Sequence, residues 1–190
     1  MLNQKIKGLY GITPNKDLNI SLIENVIKKH KVNILQYRHK TQDVQRKLDE
    51  ATQLLELCLQ YNTLFIVNDD VDLCKKVCAD GVHLGQSDID INSARSQLGE
   101  KFIIGVSCHN SLKLAIEAEI NGADYIALGA VFKSTTKPNA ASCSLSVIQH
   151  IKKKINIPIV GIGGITFENQ QSVLDAGCNS IAMIEGLFGH

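Results

Sequence analysis

Short runs of β-branched and other apolar residues alternate along this chain with longer stretches whose apolar positions recur every three or four residues. The first pattern is that of buried parallel strands, the second that of amphipathic helices. Strands are predicted at Ile6–Thr13, Val32–Arg38, Leu64–Val67, Gly81–Leu84, Phe102–Val106, Tyr125–Leu128, Ile157–Ile162 and Ser180–Ile184. Helices are predicted over about 20–30, 44–60, 71–78, 90–98, 111–121, 144–154 and 168–175. The first carries Leu22, Ile23, Val26 and Ile27 on one face, and the second Leu48, Ala51, Leu54, Leu55 and Cys58.

Strands alternating with helices in this way build parallel sheets. About eight such units suit a closed (β/α)8 barrel of the TIM type better than an open doubly wound sheet, which is the alternative. At 190 residues the chain lies at the small end for such a barrel, near about 200 residues, so its loops must be short. It reads as a single domain, with no Pro/Gly-rich linker or low-complexity tract. After the eighth strand only Glu185 to His190 remain, so the final helix is expected to be truncated. That would leave Leu187 and Phe188 without cover, and a partner subunit in a homo-oligomer is expected to supply it.

Composition narrows the chemistry. Lysine and arginine total 20 against 19 acidic residues, so there is no overall basic field for nucleic acid or an anionic membrane, and any anion must be held by a few placed cations. The amino terminus lacks a signal-like apolar core, and no run approaches the ~20 apolar residues of a membrane span; a cytoplasmic location is expected. The six cysteines are scattered and are expected to be reduced core residues; Cys74 and Cys78 share a helical face, but no second pair completes a zinc tetrad.

In a barrel the chemistry belongs at the carboxyl ends of the strands. The second strand ends Gln36-Tyr37-Arg38-His39-Lys40, and the two-residue period of a strand places Gln36, Arg38 and Lys40 on one face, an anion site in which Arg supplies a fork and Lys a point charge. The third ends Asn68-Asp69-Asp70 and the fourth reaches Asp88. Asp70 reads as the N-cap of the helix at Val71. Asp69 and Asp88, one from each of two adjacent strand ends, match the way Mg²⁺ is held by one or two carboxylates with substrate phosphates and water. In the fifth, Cys108 and His109 are consecutive and should point to opposite faces, which argues against a nucleophile–base pair; Ser107 is expected to donate a hydrogen bond to substrate, and His109 to sit at a helix start or behind the site. His83 reads as a satisfied core or mouth histidine. The sixth strand leads into a long hydroxyl-rich loop with Lys133, Ser134, Thr135, Thr136 and Lys137, a candidate phosphate-binding lid. Gly163-Gly164 after the seventh strand, with Glu185-Gly186 after the eighth, fall where barrels commonly keep a phosphate.

Taken in order, Leu9-Tyr10-Gly11-Ile12-Thr13, Gln36-x-Arg38-x-Lys40, Val67-Asn68-Asp69-Asp70, Gly81-Val82-His83-Leu84-Gly85-Gln86-x-Asp88, Gly105-Val106-Ser107-x-His109, Thr136-Lys137-Pro138 and Gly161-Ile162-Gly163-Gly164-Ile165 resemble the thiamine-phosphate synthase family over nearly the whole chain. The resemblance implies a transferase that condenses a hydroxymethylpyrimidine diphosphate with a hydroxyethylthiazole phosphate, releasing pyrophosphate, by a dissociative substitution assisted by Mg²⁺. It implies that Gln36, Arg38, Lys40 and Asn68 bind the pyrimidine diphosphate and that Ser107 contacts the pyrimidine. It gives Asp69 and Asp88 to the metal and Lys137 to the leaving pyrophosphate, so that Arg38, Ser107 and Lys137 carry the catalytic burden. Ser134, Thr135, Thr136, Gly164, Ile184 and Glu185 would position the thiazole phosphate. Ser134 stands where the family has threonine, which keeps the hydroxyl. Two alternatives accompany this reading: a thiazole tautomerase of the same barrel family, which the retained cations and carboxylates disfavour, and a non-catalytic barrel that senses a pathway phosphate.

Overall fold

The computed structural model describes residues 5–133 and 141–189. Strands β1 (Gly8–Ile12), β2 (Ile34–Tyr37), β3 (Leu64–Asn68), β4 (Gly81–Leu84), β5 (Ile103–His109), β6 (Tyr125–Leu128), β7 (Ile159–Ile162) and β8 (Ser180–Met183) alternate with helices α1 (Ile20–His30), α2 (Val44–Gln60), α3 (Val71–Val77), α4 (Ile91–Leu98), α5 (Leu112–Ile120), α6 (Leu145–Lys152), α7 (Gln170–Asp175) and α8 (Glu185–Phe188). Every neighbouring pair of strands is parallel, and β8 pairs with β1 from Gly8↔Ser180 to Gly11↔Met183, closing the barrel. The open-sheet alternative is thereby excluded.

Local chemistry explains where the elements begin and end. Asn19, Asp43, Asp70, Asp90, Ser111 and Ser144 each accept a backbone N–H of the helix that follows, satisfying donors that a helix start leaves unpaired. Asp70 is therefore the cap of α3, its carboxylate 2.9 Å from the Leu73 amide. Strand β2 stops one residue before the expected Arg38 because the Arg38 amide donates to Thr13 Oγ1 at 2.8 Å rather than to a strand neighbour. Strand β7 begins after Pro158, which has no N–H to offer a ladder. Strand β5 runs three residues further than expected, to His109, with a register shift against β6 between Ser107 and His109.

Alternation along the strands divides the core in two. Outward residues such as Leu35, Phe65, Val82, Ile104, Ile126 and Ile159 pack under the helices. Inward residues, among them Ile6, Tyr10, Ile34, Ile66, Ile103 and Tyr125, fill the barrel itself. Large and small residues interlock there: a Cβ at Gly105 would overlap the Tyr125 ring, so glycine makes the space that the tyrosine occupies. All six cysteines are free and five are buried, as core filler should be; Cys78, which follows the last residue of α3, is exposed and so is not the core residue expected.

The last helix is a single turn, but Leu187 and Phe188 are not left bare. Both are buried in the outer core at 8% and 7% exposure, because α8 folds back beside α1. The expectation that a partner subunit must cover them therefore fails. No helix of the described residues is long and apolar enough to cross a membrane.

Candidate active site

Among the described residues, three adjoining cavities open at the mouth of the barrel. A central one of about 150 Å³ lies inside the strand ends and is lined by Gln36, Arg38, Asn68, His83, Ser107 and Ile184 among others. A second, of about 550 Å³, opens beyond β2 to β4 and shares Asn68 with the first; Lys40, Asp69 and Asp88 line it. A third, of about 180 Å³, opens beyond β7 and β8 and shares Gly163 and Ile184 with the first; Lys133, Gly164, Thr166, Glu185 and Gly186 line it.

The cationic segment after β2 is held by its backbone, which leaves its side chains for the mouth. Thr13, wholly buried, accepts the Arg38 amide and donates to the Arg38 carbonyl at 3.3 Å. Asn15 accepts the Lys40 amide at 2.6 Å. Between them His39 Nδ1 lies 2.7 Å from Glu50 Oε2, and Glu50 also accepts from Tyr37 Oη and Arg46 Nε. Burial pushes the Glu50 carboxyl up, but the bonds from His39, Arg46 and Tyr37 outweigh it and hold it below the ordinary carboxylate range. The strand period carries Gln36 and Arg38 to the central cavity but ends at Tyr37, so Lys40 borders the second cavity instead.

Lys40 there faces the two carboxylates. Asp69 takes a left-handed backbone, φ 63°, while its amide donates to the His83 carbonyl at 2.8 Å. A non-glycine residue in that region is strained, and such strain gathers at functional sites. Asp88 is anchored by the Gly85 amide at 2.7 Å. Burial first, then the hydrogen bond and charge of Asp88, push the Asp69 carboxyl up to about 6, with Lys40 opposing. Two apposed carboxylates of this kind are a donor set that a cation would relieve. Among the described residues no group of three or more acidic, His or Cys side chains converges, so this pair provides two oxygen donors rather than a closed protein cage.

On the fifth strand Ser107 faces the central cavity and its Oγ lies 2.9 Å from His83 Nε2; the Ser107 carbonyl accepts from Gln86 Nε2 at 2.6 Å. Cys108 points the other way, into the outer core, which separates it from His109 as the alternation requires. His109 itself, with φ 54°, lines the central cavity rather than standing behind it. His83, 8% exposed, bonds Tyr125 as well as Ser107 and is the satisfied histidine expected.

At the third cavity the backbone does the shaping. Gly164 has φ 60°, and a Cβ there would overlap the Lys133 carbonyl and the Phe132 side chain. Asn169 fixes the turn, donating to the Gly164 carbonyl at 3.0 Å and accepting the Thr166 amide at 2.8 Å. Ile184 and Glu185 border the same space. Ser134, Thr135, Thr136 and Lys137 lie outside the described residues.

The supporting residues that the sequence does not single out are those whose partners are remote in the chain: Thr13, Asn15 and Glu50 beneath the cationic segment, and Tyr125 beneath His83.

A family profile described as thiamine monophosphate synthase matches residues 9–187 of the chain. The chain is 44% identical over 192 aligned residues to a thiamine-phosphate synthase of Nitrosococcus oceani, covering 98% of this chain and 88% of that one. It is 43% identical over 188 residues to a thiamine-phosphate synthase of Alcanivorax borkumensis, covering 97% and 87%. Among solved structures, a thiamine phosphate pyrophosphorylase from Pyrococcus furiosus superposes with a TM-score of 0.90 at 34% identity, over all of this chain and 91% of that one.

Proposed function

The chain belongs to the thiamine monophosphate synthase family and is a transferase of that activity, and from that premise we propose how its mouth divides the work. The pyrimidine ring sits in the central cavity between Gln36, Asn68 and Ser107, and its diphosphate extends past Arg38 to Lys40. The thiazole phosphate lies in the third cavity against Gly164, Ile184 and Glu185, with Ser134, Thr135 and Thr136 assigned to it by the family correspondence. The observation that carries this reading is the sharing of lining residues: Asn68 joins the first cavity to the second, and Gly163 and Ile184 join it to the third. A ring in the middle can then reach both a charged diphosphate site and a monophosphate site.

The reaction breaks the bond between the pyrimidine methylene carbon and the diphosphate oxygen, and pyrophosphate leaves with the electron pair. The thiazole nitrogen gives its lone pair to the resulting pyrimidine-methyl cation. No enzymic nucleophile is needed, which fits the separation of Cys108 from His109. What the chain must supply is charge stabilisation at the leaving group and alignment of two substrates. Arg38, Lys40 and, by family correspondence, Lys137 carry the first; the walls of the central cavity carry the second. Asp69 and Asp88 would hold Mg²⁺, which when bound neutralises charge on the departing diphosphate; the apposed carboxylates fit it because Mg²⁺ takes one or two such ligands and completes its shell with phosphate and water.

Purified protein given both substrates and Mg²⁺ should release thiamine phosphate and pyrophosphate in equal amounts. Binding of the thiazole phosphate with no product under any metal would instead leave a sensor, and thiazole isomerisation alone would leave a tautomerase.

A further inference from the structure

Five side chains from five strands join through the barrel interior in one hydrogen-bonded chain. Gln36 Nε2 donates to Tyr10 Oη at 2.8 Å, and the Tyr10 and Tyr125 hydroxyls are 2.8 Å apart. Tyr125 Oη lies 3.0 Å from His83 Nδ1, and His83 Nε2 lies 2.9 Å from Ser107 Oγ. The ring of His83 stacks on that of Tyr125 with centroids 5.5 Å apart. The two ends of the chain, Gln36 and Ser107, both line the central cavity, and the tyrosines form its floor.

The proton order in such a chain has two senses, and the orientation of the Gln36 amide selects between them. Burial holds both phenols far above their ordinary range, so each stays protonated with one proton to give. Tyr10 already accepts from the Gln36 amide, so its proton goes to Tyr125. Tyr125 then donates to His83 Nδ1, which leaves the imidazole proton on Nε2, directed at Ser107 Oγ. Ser107 keeps its own proton for the cavity. At the other end no bond of Gln36 Oε1 is found among the described residues, and no buried side-chain nitrogen or oxygen among them lacks a partner, so Oε1 meets the cavity. Turning the Gln36 amide over would reverse every bond in the chain.

We propose that Tyr10, Tyr125 and His83 are positioning residues that fix this order, so that the cavity offers an acceptor at Gln36 and a donor at Ser107. That pair matches a pyrimidine with an exocyclic amine beside an unprotonated ring nitrogen. It opposes the oxo counterpart, whose oxygen accepts and whose neighbouring ring nitrogen carries a proton. The ligand assignment rests on the proposed function, because it places the pyrimidine in the central cavity; the proton order does not.

Two measurements test it. Nitrogen-15 spectra of the whole protein labelled at histidine should show His83 with Nδ1 unprotonated and Nε2 protonated; the opposite tautomer overturns the proposal. Calorimetry should then compare binding of 4-amino-2-methyl-5-(diphosphooxymethyl)pyrimidine with that of its 4-oxo counterpart. In Tyr125→Phe the ratio of the two affinities should fall about tenfold, the scale of one interrupted hydrogen bond, while affinity for the thiazole phosphate is unchanged. Thr63→Val, which removes a buried hydroxyl bond to Val32 at the far end of the barrel, should leave the ratio as it is. An unchanged ratio in folded Tyr125→Phe, or an equal loss for both phosphorylated ligands, overturns it. Should that variant fail to fold, the wild-type tautomer and the ratio in Tyr10→Phe decide. Absence of thiamine phosphate from the wild type would sink the proposed function, whereas a wild type that turns over with an unaltered ratio in the variant sinks only this inference.

Discussion

The two sides of the mouth are built by opposite means. Beyond β2 to β4 the site is made of charged side chains braced from outside the mouth: Thr13 and Asn15 hold the backbone of Arg38 and Lys40, Glu50 holds the ring of His39, and the Gly85 amide holds the carboxylate of Asp88. Beyond β7 and β8 it is made of backbone, with Gly163 and Gly164 at φ 102° and 60° and few ionisable groups. The difference follows from the ligands proposed for each. A leaving diphosphate gains charge in the transition state and needs placed cations and a metal, whereas a spectator monophosphate needs only to be seated.

Substitutions on the two sides should therefore fail differently. Asp69→Ala should produce the largest effect, a loss of about 10²–10³ in kcat with the barrel still folded, measured as pyrophosphate release against Mg²⁺ concentration; near-normal turnover would show that the charged side is dispensable. Gly164→Ala should raise the KM for the thiazole phosphate about tenfold, the cost of displacing one backbone contact, and leave the KM for the pyrimidine unaltered. A fall in kcat alone would blur the distinction between the sides. Glu50→Gln should have the smallest effect on activity, a few-fold, and cost about 1–3 kcal/mol of stability through the charge-assisted bonds lost. Its pH dependence has a fixed sign. Glu50 is more acidic folded than unfolded, so its contribution is complete above 4.5, the ordinary value, and is lost as pH falls through the lower folded value. The difference in Tm between wild type and Glu50→Gln should accordingly shrink on acidification and be steady at neutral pH.

The same contrast governs how much was legible in the sequence. The eight strands are visible because each is a short apolar run bounded by a helical period, and the carboxylate pair because an aspartate follows each of two adjacent strand ends, Asp69 directly after β3 and Asp88 in the loop after β4. What could not be read were contacts between residues far apart in sequence. Nothing near Glu50, on an exposed-looking stretch of α2, announces that it lies beneath His39. The departure of Lys40 from the face of Gln36 and Arg38 follows from Thr13 capturing the Arg38 amide, a bond across 25 positions. The burial of Leu187 and Phe188 was missed for a related reason: a one-turn helix has too few residues to reveal which way it folds.

The left-handed backbone of Asp69 carries a consequence for anyone seeking a hardier protein. Glycine adopts that conformation without penalty, and it would also remove one of two repelling carboxylates, so Asp69→Gly should raise Tm. A selection on heat resistance alone would thus favour loss of the residue proposed to matter most for turnover. Robustness and chemistry pull against each other at a single Cα.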